Sequence, residues 1–215
     1  MADVQTTTRP LFGGAISFDV PKDYIDASDL RQVPDNQEVF LSNDSDTAII
    51  FEILGAVQDG GAASDMYEAA NVAHDNAALS ATLTTPPPPT HVVPAQTQHV
   101  QSASELQTPH PTVVTGIQKV HKFSHDPSGA PRRGHENDAP DEVWIGLALW
   151  RIDVDIAGHK KKADIVCTAN VPLKEAAEGN PNGVTSEELA KVEGWWRNAV
   201  AGMKINDWNL FGDEN

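Results

Sequence analysis

The sequence predicts a single α+β domain built on a mostly antiparallel sheet, and three observations predict it. Val143 to Ile152 is apolar at nearly every position, a pattern a strand needs only when both of its faces are covered. Upstream, short segments alternate apolar and polar residues with the two-residue period of half-buried strands. Downstream, Thr185-Ser186-Glu187-Glu188 forms a capping box ahead of Leu189, Val192, Trp196, Ala199, Val200 and Met203, spaced by three and four as on one helix face. A chain of 215 residues, 40% of them apolar, is long enough for one sizeable core.

Taken in order, Gly13 to Val20 places Ile16, Phe18 and Val20 on one strand face, and Pro21 ends it. Its double glycine has neither the preceding strand nor the lysine of a phosphate loop. Strands are expected from Glu38 to about Leu41 and from Ala48 to Leu54, joined by a turn at Ser42 to Asp46 as a hairpin or meander. Met66, Ala69, Ala70, Ala73 and Ala77 predict a short helix within Asp65 to Leu79. Residues 84–111, with Pro86 to Pro89, Pro94, Pro109 and Pro111, read as a Pro-rich loop insertion that leaves room for strand fragments at His91 to Val93 or His99-Val100. Thr112 to Phe123 resumes as a strand, and residues 126–141 form a charged loop rich in Pro and Gly between antiparallel strands. Asp164 to Val171 should pair with the central strand through a turn at Gly158 to Lys162, with Pro172 closing it. Trp144, Trp150 and Trp196 read as core residues and Trp195 as exposed, while Ile205, Trp208, Leu210 and Phe211 tuck back over the core.

Charge narrows the function. The formal net charge is -16 and the pI near 4.7, so nucleic acid and anionic membranes are excluded as partners by repulsion. Between Asp19 and Asp46 eight acids face only Lys22 and Arg31, a local excess of six negative charges, so a protein partner should present lysines and arginines. An acidic surface also serves solubility alone. The polar start of the chain, the absence of a long apolar run and the single Cys167, which reads as a small buried hydrophobe, point to the cytosol or nucleus. No cofactor is expected. His121-x-x-x-His125 lacks the glutamate of a zinc motif, and Ser128-Gly129 lacks the setting of a hydrolase nucleophile, so neither a metal site nor a catalytic residue is assigned.

The most informative stretch is Val33-Pro34-Asp35-Asn36-Gln37-Glu38-Val39-Phe40, just after Asp29-Leu30-Arg31. Pro34 disfavours helix at Val33, Asp35 and Asn36 form turns, and Val39 and Phe40 begin a strand. Asp35 and Glu38 therefore stand at a rigid turn-to-strand junction. It is either a recognition surface or a solvated turn that separates two elements. An acid-base pair is the third reading, without the apolar pocket that would raise one of the two pKa values.

These residues, together with Leu11 to Ala15, Ile25 to Arg31, Ala148 to Ile152, Asn170-Val171-Pro172 and Asn209 to Gly212, resemble the Ran guanine-nucleotide release factor family, the Mog-type proteins. The resemblance covers most of the chain outside residues 84–111 and 126–141. It implies a PsbP-like sandwich with helices against both faces of the sheet, residues 1–215 forming one domain. It further implies a nuclear and cytoplasmic protein that binds the small GTPase Ran, promotes loss of its nucleotide, stabilises the empty form and supports nuclear import. The family's V-P-D-x-Q-E acids are Asp35 and Glu38 here, and the expected Ran-binding set adds Asn36, Gln37, Asp29 and Arg31. Such a protein is a GTPase regulator without covalent catalysis, expected to be monomeric, with room for a further Ran-binding protein as partner. The alternative is an adaptor that holds a basic partner through the same acidic surface.

Overall fold

The structure, a computed structural model, describes residues 4–57, 97–121, 130, 132–134, 136, 141–174 and 181–212. It holds two sheets. The smaller contains β1 (Thr6–Leu11), β2 (Ile16–Pro21) and β10 (Lys204–Ile205), with β2 in the centre. The larger runs β3 (Ile25–Asp26), β4 (Gln37–Leu41), β5 (Ala48–Leu54), β9 (His159–Pro172), β8 (Asp141–Ile156) and β6 (Gln98–Val100), with β7 (Thr112–Val120) also pairing β8. All its pairings are antiparallel except β6 with β8. The fold is thus α+β, with one α-helix, α1 (Ser186–Gly202), among the described residues. The helix expected within Asp65 to Leu79 lies outside them. Residues 97–111 are the described part of the Pro-rich segment, and the strand fragment at His99-Val100 is present there as β6.

β8 is central, and its residues from Trp144 to Ile152 are buried without a break. Trp144, Ala148, Trp150 and Ile152 share one face by strand alternation and join Ile49 and Phe51 of β5, Ile165, Cys167 and Ala169 of β9, Leu11, Ile16, Phe18 and Val20 of the small sheet, and Trp196, Ala199 and Val200 of α1 in one core. The helix starts at its Thr185–Glu188 capping box, where Glu188 accepts the Thr185 N–H and hydroxyl, both at 2.8 Å, and its apolar stripe packs there. Trp144 and Trp196 meet edge-on at 5.7 Å. Gly146 makes room, since a Cβ there would come within 2.5 Å of the Trp144 ring. Trp195 is buried too, against the expectation of exposure, because it packs edge-on at 5.7 Å with Tyr24 of the segment after β2.

The opposite face of β8 and β9 is also buried, and it carries charge: Arg151 and Asp164 face each other in register and form a two-armed ion pair, both contacts 2.8 Å. Asp164 Oδ2 also accepts the Val57 N–H at 2.9 Å. A carboxylate in the interior is tolerable here because every arm has a donor. The β8–β9 turn consists of Ala157 and Gly158, both with positive φ (51° and 92°), as a two-residue hairpin turn requires. The lysines at 160–162 consequently lie on β9 and not in the turn, a correction to the sequence reading. Lys161 is buried and donates to the Phe211 carbonyl at 2.8 Å, which ties the C-terminal segment over the core as expected.

Candidate partner-binding site

β4 starts from a tight turn in which the Gln37 N–H donates to the Pro34 carbonyl at 2.9 Å, leaving Asp35 and Asn36 at the corners. The turn is fastened to β5. The Ile53 N–H donates to the Asn36 carbonyl at 3.0 Å, the Asn36 amide donates to the Ile53 carbonyl at 3.4 Å, and the Gln37 amide donates to Glu52, its cross-strand neighbour, at 2.5 Å. Asn36 and Gln37 are thus scaffold as well as surface. Asp35 is exposed, and among the described residues no hydrogen bond or ion pair engages its carboxylate.

Glu38 stands differently. It is half-buried, shares the inward face of β4 with Phe40, and accepts the Phe12 N–H on Oε1 at 2.6 Å. Phe12, Gly13 and Gly14 all have positive φ (50°, 66° and 96°). For the non-glycine Phe12 that conformation costs about 1–2 kcal/mol. A hydrogen bond to a charged acceptor contributes roughly 1.5–3 kcal/mol, enough to offset it. From the other side the Asn206 amide donates to the Gly14 carbonyl at 3.2 Å and to Ser17 Oγ at 3.1 Å, and the Asn206 and Asp207 N–H groups both donate to the Ala15 carbonyl. Two distant parts of the chain, at Glu38 and at Asn206–Asp207, therefore clasp one turn, and the two acids that the sequence places close together have different surroundings.

Asp29 closes a single 3₁₀ turn, Ala27–Asp29, which Leu30 and Arg31 follow; it is capped by the Asp26 carboxylate, which accepts the Ser28 N–H at 2.8 Å. Ala27 is fully buried, and its carbonyl accepts the N–H groups of Leu30 and Arg31, which fixes all three following side chains on the outside. Leu30 is 65% exposed, an apolar side chain flanked by Asp29 and Arg31. The sequence reading left Leu30 out of its site; the signal for it was a leucine outside any strand or helix period. β3 pairs Asp26 with Phe40, so the segment 27–36 leaves from the far end of β4 and returns to its start.

Elsewhere the chemistry is quiet. Burial pushes the Cys167 thiol well above its usual range, and burial and the neighbouring Asp23 carboxylate do the same for the Tyr24 phenol. A groove of about 510 Å³ between the small sheet and α1, lined by Val4, Asp19, Glu187, Lys191, Trp195 and Asn198 among others, borders neither Asp35 nor Glu38.

A sequence model of the family described as Ran-interacting Mog1 protein matches residues 9–172. The Ran guanine nucleotide release factor of Homo sapiens is 58% identical over 214 residues, 97% of this chain and 98% of that protein. That of Danio rerio is 48% identical over 75 residues, 34% of this chain and 40% of that protein, and the nuclear import protein mog1 of Schizosaccharomyces pombe is 44% identical over 70 residues, 31% of this chain and 36% of that protein. Among solved structures, the Ran-binding protein Mog1p of Saccharomyces cerevisiae superposes with a TM-score of 0.61 at 22% identity, covering 98% of this chain and all of that one, a likeness of fold.

Proposed function

The chain belongs to the Ran-interacting Mog1 protein family, and from that premise we propose that it is a Ran-binding guanine-nucleotide release factor that supports nuclear import. Its relatives' names as release factors and as a nuclear import protein support this reading. The observation that carries it here is Asp35: an exposed carboxylate, unpaired among the described residues, on a turn whose backbone is fixed to β5. The proposed Ran-binding surface consists of Asp35, Glu38, Asn36, Gln37, Asp29 and Arg31, to which the structure's exposure adds Leu30.

A GTPase binds its nucleotide's phosphates through a lysine, backbone N–H groups and Mg²⁺, so loss of the nucleotide leaves a positive site uncompensated. A carboxylate presented on a turn whose backbone is fixed complements that site without the backbone entropy a mobile loop would lose. By linkage, whatever binds empty Ran more tightly weakens nucleotide binding by the same factor. No covalent step is involved, and the protein acts as a regulator in the nucleus and cytoplasm, as a monomer. The reading carries with it the finer architecture of a PsbP-like sandwich with helices on both sheet faces. The test is release of fluorescent nucleotide from purified Ran: the wild-type chain accelerates it and Asp35→Lys does not. An adaptor would bind Ran and leave the rate unchanged.

A further inference from the structure

We infer that Glu38 acts in the proposed release reaction as a positioning residue: its carboxylate, three residues along the chain from Asp35, holds the Phe12–Gly13–Gly14 turn, and that turn is part of the surface the GTPase meets. This rests on the Ran-binding reading above. Its basis is the direction in which Glu38 is committed. Oε1 is 2.6 Å from the Phe12 amide, the side chain is half-buried, and the strand face it occupies points at the β1–β2 connection and away from the corner where Asp35 stands. The turn it holds has three successive residues in the left-handed region, one of them not glycine.

A Cβ built on Gly13 or Gly14 meets nothing within 4 Å among the described residues. These glycines therefore answer to backbone conformation and not to close packing inside the protein, and the space over the turn is open to an approaching surface. Asn206, at the other end of the chain, fixes the same turn through Gly14 and Ser17. Glu38 Oε2 has no partner among the described residues. Direct contact between that oxygen and the GTPase is thus the rival account, and it predicts different results.

The test measures nucleotide release from fluorescently loaded Ran by the full chain carrying Glu38→Gln, Glu38→Ala, Asn206→Ala and the last two together. Gln keeps a carbonyl acceptor for Phe12 and removes the charge. The positioning role requires Glu38→Gln to stay within about threefold of wild type, while Glu38→Ala falls by roughly tenfold or more. Asn206→Ala, which touches no acid of the motif, should slow release as well, and the double variant should lose less than the product of the single losses. Equal losses in Gln and Ala variants with Asn206→Ala unaffected would overturn the inference in favour of direct charge recognition. Protection of the Phe12 amide against hydrogen exchange is followed in parallel. If the wild-type chain releases nothing from Ran, the functional reading fails on its own. Whether Glu38 holds the turn is then decided separately: it does if Phe12 protection survives in Glu38→Gln and is lost in Glu38→Ala, and it does not if both variants behave alike. Should Glu38→Ala not fold, the Gln and Asn206 variants decide the matter.

Discussion

Asp164 and Asp35 are the same side chain in opposite circumstances. Asp164 is wholly buried, with Arg151 on two arms and the Val57 amide on a third contact. Asp35 is exposed, and no hydrogen bond or ion pair reaches its carboxylate among the described residues. A charge whose donors are all internal has nothing left to offer a partner and can only serve the fold. A charge left in water on a fixed turn contributes little to the fold and keeps its capacity for recognition. Glu38 lies between the two, since one oxygen is committed to Phe12 and the other is not.

The largest effect expected from this contrast comes from breaking the interior pair. Asp164→Ala removes both arms of the pair from the buried Arg151 guanidinium and should destabilise the chain by about 3–5 kcal/mol, read as a lower urea midpoint with unchanged steepness. Asp35→Lys should leave the unfolding free energy within about 0.5 kcal/mol of wild type, as for ordinary surface changes, while lowering Ran affinity by at least roughly tenfold. Reversing Asp35 and Glu38 together tests the acids less cleanly than Asp35→Lys alone, because Glu38→Lys also removes the Phe12 acceptor. Leu30→Ser should be smaller, a loss of about threefold to tenfold in affinity with no loss of stability, since an exposed leucine gives up burial only when a partner covers it. A decrease in the midpoint on Leu30→Ser would show that the leucine belongs to the fold and not to the interface.

Where sequence patterning decided structure, it could be read. β2, β4, β5, β8, β9 and α1 follow from period-two alternation, a two-faced apolar run and a capping box. β1 was missed because Thr6 to Leu11 is polar, contains Pro10 and sits at a sheet edge, where its pairing comes from β2 and not from its own pattern. The Arg151–Asp164 pair depends on register, which the turn sets. A turn at Gly158 to Lys162 would have set Arg151 opposite Ala169; the Ala157-Gly158 turn sets it opposite Asp164. For the candidate site, the acids and the turn were legible in Pro34, Asp35 and Asn36. The commitment of Glu38 was not, because its partner lies 26 residues away and is a backbone amide, which leaves no mark in composition.

Glu188 sharpens the contrast from a third side, being as exposed as Asp35 yet engaged like Asp164. The Thr185 N–H and hydroxyl hold its carboxyl below the usual range, with smaller help from Lys191 and Lys174. A carboxyl depressed in the folded state binds its proton more weakly than in the unfolded chain. Its stabilising contribution is therefore present above the unfolded value of about 4.3 and is lost as pH falls through the lower folded value. Acid should loosen the start of α1, and Glu188→Gln should remove that pH dependence while leaving a neutral cap. The measurement is amide exchange at the start of α1 against pH. The effect is the smallest of the series because solvent screens an exposed carboxylate, and its independence from Ran release would show that hydrogen bonding alone does not turn a surface acid into a recognition site; exposure without an internal partner, as at Asp35, is what remains distinctive.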